Sequence, residues 1–374
     1  MKAISFSFVA ALALWLTSCT PTTTTPYSPT GTSNVVTTVG TTTSYRAVYA
    51  FSFGSLGSGA GQFTALSGLL VLPDGTALFT TEYGTTLGTA RIQKLTPSGA
   101  SFNVPNIVTN GAGATQRVRF INFVGGTNFI WGMDNRTSVV CFSVASLATN
   151  NFQPSAWGTS AIPGEVNNGT TAQNQNTGPG GVAYDSLGRW WLADLGNSRV
   201  QIFTNTNAIG VSNFYSQIVN AFWVNSFGTF TTFSGPTSVR MDFNGNMAVV
   251  DSANSRVVIL NPLTGTVVNQ IAGGGSSANI LQMNRPMDVA TNTKQQYFVT
   301  DFLNNRVVRF DANCAFLESF GSFGSGAGQF NGPVGIAIDQ YDTIYVADQA
   351  NGRIQVWSNV ATTTTYTNNQ TIWQ

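Results

Sequence analysis

The side chains able to do chemistry are few, and they recur. Asp194, Asp251, Asp301 and Asp348 each stand three residues before an asparagine and five before an arginine: Arg199, Arg256, Arg306 and Arg353. A carboxylate and a guanidinium facing each other across a tight turn form a charge-assisted pair, and a row of such turns could also serve as a charged binding face. A second set, Asp74, Asp185, Asp242, Asp339 and Asp342, sits in the hairpins upstream of the first and reads as turn caps. Nothing nearby supplies a base. The 374 residues include 0 histidines, which excludes an imidazole general base, a His-ligated metal and any Ser-His-Asp or Cys-His pair. The acids outside both sets are Glu82, Glu165, Asp288, Asp311 and Glu318, with Asp134 displaced from its repeat position; they are scattered along the chain. No two have the spacing of a glycosidase dyad, and no acid-asparagine cluster reads as a calcium loop. No catalytic residue, metal ligand or cofactor is therefore assigned, and an enzyme is not expected.

The elements that must hold these residues follow from self-comparison. WLADLGNSRVQIF (191–203), AVVDSANSRVVIL (248–260), FVTDFLNNRVVRF (298–310) and YVADQANGRIQVW (345–357) align without gaps. Each is an apolar strand ending in Asp, a polar turn, and a second apolar strand opened by Arg, which is a β-hairpin. A third short strand lies upstream of the hairpins, as in GPGGVAYDSLG, SGPTSVRMDFNG and NGPVGIAIDQYD. Weaker copies at Leu70–Leu95, with Arg91-Ile92-Gln93 after a lengthened turn, and at Arg117–Phe142 bring the units to six. Two near-identical connectors, FGSLGSGAGQF (53–63) and FGSFGSGAGQF (320–330), bracket five periods of about 53 residues, slightly above known propeller blades. A fourth strand leading into each next unit completes a four-stranded antiparallel blade. The expected fold is all-β, a six-bladed β-propeller.

The Asp-x-x-Asn-x-Arg hairpin, the upstream Gly-Pro-x-Gly-Ile-Ala-Ile-Asp and the glycine-rich connector resemble the NHL-repeat β-propeller family over about residues 48–357. The resemblance implies a six-bladed scaffold used for binding and, in some branches, for catalysis. Its amidating-lyase branch uses histidines with zinc, which this composition excludes. Gluconolactonase-type propellers hold a metal with carboxylates and asparagine near the axis, and no matching motif is present. In the family pattern the segment Val48–Phe53 is an outermost strand lacking a blade of its own, so it is expected to pair with Arg353–Trp357 and close the ring. Cys141 and Cys314 then fall on opposite sides of the ring, too far apart for a disulfide. That leaves Cys141 a buried hydrophobe and Cys314 a free or intermolecular thiol.

The chain's ends carry an address. Lys2 and an apolar run from Phe6 to Leu16 are too short to span a bilayer and read as a signal peptide, residues 1–18. Leu16-Thr17-Ser18-Cys19 resembles the bacterial lipoprotein cleavage box, with Cys19 as the lipid-bearing residue; an ordinary secretory signal with an incidental cysteine is the other reading, and either exports the chain. Residues 19–46 are Thr/Pro-rich and read as an extended tether. The propeller is placed at 47–358, and 359–374 as a tail with the option of an added edge strand.

Only 8% of residues are charged, with Lys+Arg 16 against Asp+Glu 15, so no basic excess points to nucleic acid. What exceeds the repeat is two long connectors, 144–178 with Trp157 and 209–235 with Tyr215 and Trp223. Both open on the face of the Asp-Arg turns, so Trp157, Trp223, Tyr215, Arg199 and Arg256 are the candidate ligand contacts. Aromatics and amides with few charges suit a peptide or a glycan; the alternative is that these aromatics belong to the core of their blades. The expected function is a lipid-anchored, non-catalytic binding module for protein, peptide or glycan at the bacterial outer membrane or cell surface, as a single copy. A propeller lyase or lactone hydrolase working without histidine, or a purely structural surface lipoprotein, are the other possibilities.

Overall fold

The computed structural model describes residues 34–72, 74–82, 91–100, 106–107, 118–123, 129–134, 139–143, 180–195, 198–205, 214–219, 233–271 and 282–372, with backbone alone in several strands, including those between 106 and 143. Among these residues there are five four-stranded sheets, one three-stranded sheet and a small parallel pair, Ser55–Leu56 with Gln62–Phe63; the three-stranded sheet and all but the last of the four-stranded ones are built from consecutive strands. The first holds Leu66–Val71, Leu78–Glu82, Arg91–Leu95 and Asn106–Ile107; the second Val118–Phe123, Phe129–Asp134 and Val139–Ser143. The third holds Val182–Tyr184, Arg189–Asp194, Arg199–Asn205 and Phe214–Val219, and the fourth Pro236–Met241, Met247–Asp251, Arg256–Leu260 and Val267–Ile271. The fifth runs from Pro286–Thr291 through Tyr297–Asp301 and Arg306–Phe310 to Phe316–Phe320. In the sixth, Pro333–Ile338 and Ile344–Asp348 are followed by the long strand Arg353–Ile372, and the strand beside it is the N-terminal one, Asn34–Phe53.

The burial pattern explains why these stretches are strands. Met247–Asp251 and Arg256–Leu260 are buried at every position, whereas the outer strand Val267–Ile271 is mostly half-buried. A strand covered on both faces reads as a continuous apolar run; one with a wet face does not. Each inner strand packs on the inner strand of the next sheet, and Pro333–Ile338 of the sixth packs on Leu66–Val71 of the first. The cores therefore lie between sheets. One joins Trp191 and Ile202 to Val239, Val249 and Val258; another joins Val250 and Ile259 to Val289, Val299 and Val308; a third joins Leu69, Leu78 and Leu95 to Val334, Tyr345 and Ile354. This is β-propeller architecture.

The turns obey a positional rule. In every Asp-x-x-Asn-x-Arg hairpin the residue before the arginine is left-handed: Ser198, Ser255, Asn305 and Gly352 have φ between 53° and 60°. In the two connectors, glycine is required by close approach, since a Cβ on Gly54 or Gly321 would lie 2.4 or 2.3 Å from the ring of the buried Phe63 or Phe330.

The chain divides into two units, Val48–Ser358 and a second made of the residues to Ala47 with Asn359–Gln374. In the second, residues 34–47 and 359–372 are strand, and Thr43 meets Thr363 Oγ to Oγ at 3.5 Å. The described part of the expected tether is thus β-strand rather than a loose extended segment. Composition misled because threonine-rich chain cannot build a core, yet β-branched residues pair well when a complementary strand is present. Cys314 is a free thiol that packs against the core between the fourth and fifth sheets. Among the described residues no helix is long and apolar enough to cross a membrane.

Candidate functional site

The recurring Asp-Arg hairpins form three superimposable knots. Asp251, Asp301 and Asp348 are fully buried at the ends of their strands. One carboxylate oxygen of each accepts the backbone N–H of Ser234, Asn284 or Asn331 at 2.7, 2.6 and 2.7 Å, in the connector entering the same sheet. The other accepts the side-chain amide of Asn254, Asn304 or Asn351 at 2.9, 2.8 and 2.8 Å and the Nε of Arg256, Arg306 or Arg353 at 2.6, 2.8 and 2.8 Å. The arginines reach further. Arg306 donates to the Gln282 carbonyl, and Arg353 to those of Ser325, Gly326 and Gln329. Each knot therefore holds a connector against its hairpin. For Asp194 and Arg199 the backbone places the two opposite each other in register.

Glu82, left outside the repeat by spacing, fills the same slot in the first sheet. It accepts Thr64 N–H at 2.6 Å and the amide of Gln93 at 2.8 Å, and Gln93 donates onward to the Gln62 carbonyl. Gln355 does the same in the sixth sheet, donating to Asp348 and to the Gln329 carbonyl. The signal in the sequence was the shared Arg-Ile-Gln at 91–93 and 353–355.

The second acidic set pins the inner hairpins. Asp185, Asp242 and Asp339 each accept two backbone N–H groups of their own turn, from Leu187 and Arg189, Asn244 and Asn246, and Tyr341 and Thr343. Each also takes a ring donor: Trp191 Nε1 at 2.7 Å, Tyr297 OH at 2.7 Å and Tyr345 OH at 3.2 Å. Burial, then these carboxylates, pushes both tyrosine hydroxyls well above their ordinary range. Asn292 replaces the Asp in the fifth sheet and caps Lys294 and Gln296. Asp74 and Asp342 do not share this slot. Asp74 is an exposed cap on Thr76, and Asp342 is paired with Lys294 and Thr293 of the neighbouring sheet. Burial opposes ionisation of Asp342, but the Lys294 and Thr293 contacts outweigh it and hold the carboxyl below its ordinary range.

Spacing gave no hint of the third arrangement. Asp288, on the inner strand of the fifth sheet and fully buried, accepts Ser238 Oγ at 2.6 Å and Arg240 Nη2 at 2.9 Å from the fourth, and Ile336 N–H at 3.1 Å from the sixth. Arg240 also donates to the Leu69 carbonyl of the first sheet at 3.4 Å. One ion pair thus touches four sheets. These carboxylates are acceptors for backbone and cations, a holding role. Among the described residues no group of three or more His, Cys, Asp or Glu could hold a metal ion.

Of the expected ligand contacts, Arg256 and Arg199 are the two whose side chains are described. Arg256 is buried, with its side chain on Asp251 and Gln270. Its guanidinium is drawn in because Asp251 is itself buried and must be paired. Arg199 is half-buried, and Tyr215 is described as backbone paired with Thr204. Trp157, Trp223 and Cys19 lie outside the described residues.

Residues 330–357, the sixth-sheet hairpin with its knot, match the family model for the NHL repeat. The human NHL repeat-containing protein 3 is 31% identical over 86 residues, 22% of this chain and 25% of that protein, so the match spans a quarter of the relative's length. Among solved structures, an auxiliary nutrient binding protein from Bacteroides ovatus ATCC 8483 aligns with a TM-score of 0.58 at 13% identity, over 85% of this chain and 78% of that one. A streptogramin B lyase aligns with a TM-score of 0.50 at 14% identity, over 84% and 98%. At these identities the likeness to the solved structures is one of fold.

Proposed function

We propose that this chain is an exported, lipid-anchored NHL-type propeller of six blades, closed by its N-terminal strand, that acts as a non-catalytic binding module at the cell envelope. The observation that carries the reading is the use of the recurrent acids. Each described member of the knots and inner-hairpin caps accepts backbone amides together with a cation or a ring donor, which makes the repeat a rigid frame. Recognition then falls to the long connectors carrying Trp157 and Trp223, together with Tyr215 and Arg199. Closure is supported by the core shared between the first and last sheets and by the place of Asn34–Phe53 in the sixth. The likeness in fold to an auxiliary nutrient binding protein favours a nutrient-derived glycan or peptide as ligand.

Crosslinking capture from native membranes, run beside a glycan array, tests this. Trp157→Ala and Trp223→Ala are expected to abolish capture while the folded signal stays intact; full retention in both would rule these connectors out. Cys19→Ser is expected to release the protein from membranes, and continued membrane retention would reject lipidation at that residue.

A further inference from the structure

One arginine of the unit Val48–Ser358 stands outside the frame. Arg189, Arg240, Arg256, Arg306, Arg309 and Arg353 each hold a carboxylate. Arg285 is exposed, and among the described residues it has neither a hydrogen bond nor an ion pair. Its backbone is as unusual as its side chain. Arg285 precedes Pro286, the first residue of the fifth sheet's inner strand, and has φ 51°; Gly235 before Pro236 and Gly332 before Pro333, at the same place in the fourth and sixth sheets, have φ 58° and 71°. A Cβ on those glycines would lie 3.3 Å from Leu195 or 2.9 Å from Phe302, the residues following Asp194 and Asp301 in the preceding sheet. For Arg285 the corresponding neighbour is Ser252, a small residue. Space therefore admits the arginine without calling for it. The left-handed region disfavours a long side chain, and strain of this kind concentrates at binding sites.

The inner strands start side by side: Thr237 Oγ1 donates to the Met287 carbonyl at 2.9 Å, and the Gly181 N–H to the Thr237 carbonyl at 2.9 Å. Arg285 thus stands at the end of the inner strands where the connectors arrive. The corresponding positions nearby, Leu195, Gly235, Ser252, Phe302, Gly332 and Gln349, are uncharged. Main-chain groups here are already engaged. The N–H groups of Ala253, Leu303 and Ala350 donate to the carbonyls of Ser234, Asn284 and Asn331, whose own N–H groups are held by the buried aspartates. A peptide read by strand addition would need those groups; a ligand read by side chains would not.

We propose that Arg285 is a ligand-binding residue and that it takes the carboxylate of a uronic-acid glycan. This rests on the reading of the chain as a binding module and names the class of its ligand. A single guanidinium in neutral surroundings pairs one carboxylate through its two-pronged fork. A phosphate dianion would be left half-neutralised there. The sugar hydroxyls beside that carboxylate both donate and accept, and neutral side chains satisfy them.

Isothermal titration calorimetry of the mature chain carrying Cys19→Ser, with oligogalacturonate, its neutral methyl ester and a glutamate-rich peptide as the three probes, tests this. The acid is expected to bind, more weakly as salt rises, and the methyl ester and the peptide at least about tenfold less well. Arg285→Gln is expected to lose at least about tenfold for the acid, and Arg285→Lys to keep part of the affinity. Arg285→Gly should lose the same binding with a thermal midpoint equal to or above the parent's, since glycine suits the left-handed region. Equal affinity for acid and ester, preference for the peptide, or an unchanged affinity in Arg285→Gln overturns the proposal. A midpoint of Arg285→Gly below the parent's would assign the residue to the fold and overturns it too. The binding role is judged apart from this, by capture from membranes: capture without affinity for the acid rejects the uronate and keeps the module.

Discussion

Replacing Arg240 by methionine keeps most of the side chain's apolar bulk and removes only its guanidinium. Asp288 is 0% exposed and would keep Ser238 Oγ at 2.6 Å, Val289 N–H at 2.9 Å and Ile336 N–H at 3.1 Å. It would lose the Arg240 guanidinium at 2.9 Å, its cationic partner among the described residues. Stranding one half of a buried ion pair costs about 3–5 kcal/mol. The three remaining donors, and the 14% exposure of the Arg240 side chain, place the expected loss at the lower end, about 3 kcal/mol. Asp288→Asn, which keeps the shape and one acceptor, should cost about 1–3 kcal/mol. Because both changes break the same contact, Arg240→Met/Asp288→Asn should lose less than the sum, with a coupling of about 1–2 kcal/mol. Urea unfolding followed by far-ultraviolet circular dichroism measures all three, and equal slopes would show that only stability has changed. An Arg240→Met chain within about 1 kcal/mol of the parent, or strict additivity in the double variant, would refute the claim that this pair ties four sheets together.

Three further outcomes are expected. Glu82→Ala should destabilise the chain by about 1–3 kcal/mol by leaving Thr64 N–H without its acceptor and the Gln93 amide with the Gln62 carbonyl alone; an unchanged urea midpoint would deny Glu82 its place as the first sheet's counterpart of Asp348. Burial pushes the Cys314 thiol up to about 12 from an ordinary 9.0. Its contribution to stability is therefore complete below the ordinary value and lost as pH rises from there through the folded value, and it should react slowly with Ellman's reagent in the native chain at mildly alkaline pH; rapid stoichiometric labelling would contradict its packing. Asp342 is shifted the other way, so its stabilisation is present above the ordinary 3.8 and lost as pH falls through the lower folded value. Lys294→Gln should flatten that acid limb of the urea midpoint against pH, and an identical limb would show the pair to be idle.

Local chemistry was legible in the sequence and distant chemistry was not. The Asp-x-x-Asn-x-Arg hairpin could be read because its Asp, Asn and Arg lie within five residues of one another and the turn admits only residues that tolerate the left-handed region, here Ser, Asn and Gly. Glu82 was passed over because its lengthened turn broke the spacing, although its longer side chain reaches the same acceptor position. Asp288 was invisible because its partners sit 48 residues away on either side, a distance no turn motif encodes. The 34–46 segment was misjudged because composition reports whether a segment can build a core, and pairing depends on a second segment at the far end of the chain.

The arginines of the last two knots also determine where one repeat can be cut from the next. Arg353 grips carbonyls at 325, 326 and 329, and Arg306 grips that of 282, upstream of the inner strands of their own sheets. A sheet excised at its strand boundaries would leave these donors behind without acceptors. The interchangeable cassette for shuffling or lengthening this protein is therefore offset from the sheet: it begins at the glycine connector and ends after the arginine strand, as in 320–357, and grafts made on that phase should be accepted where grafts made on whole sheets fail.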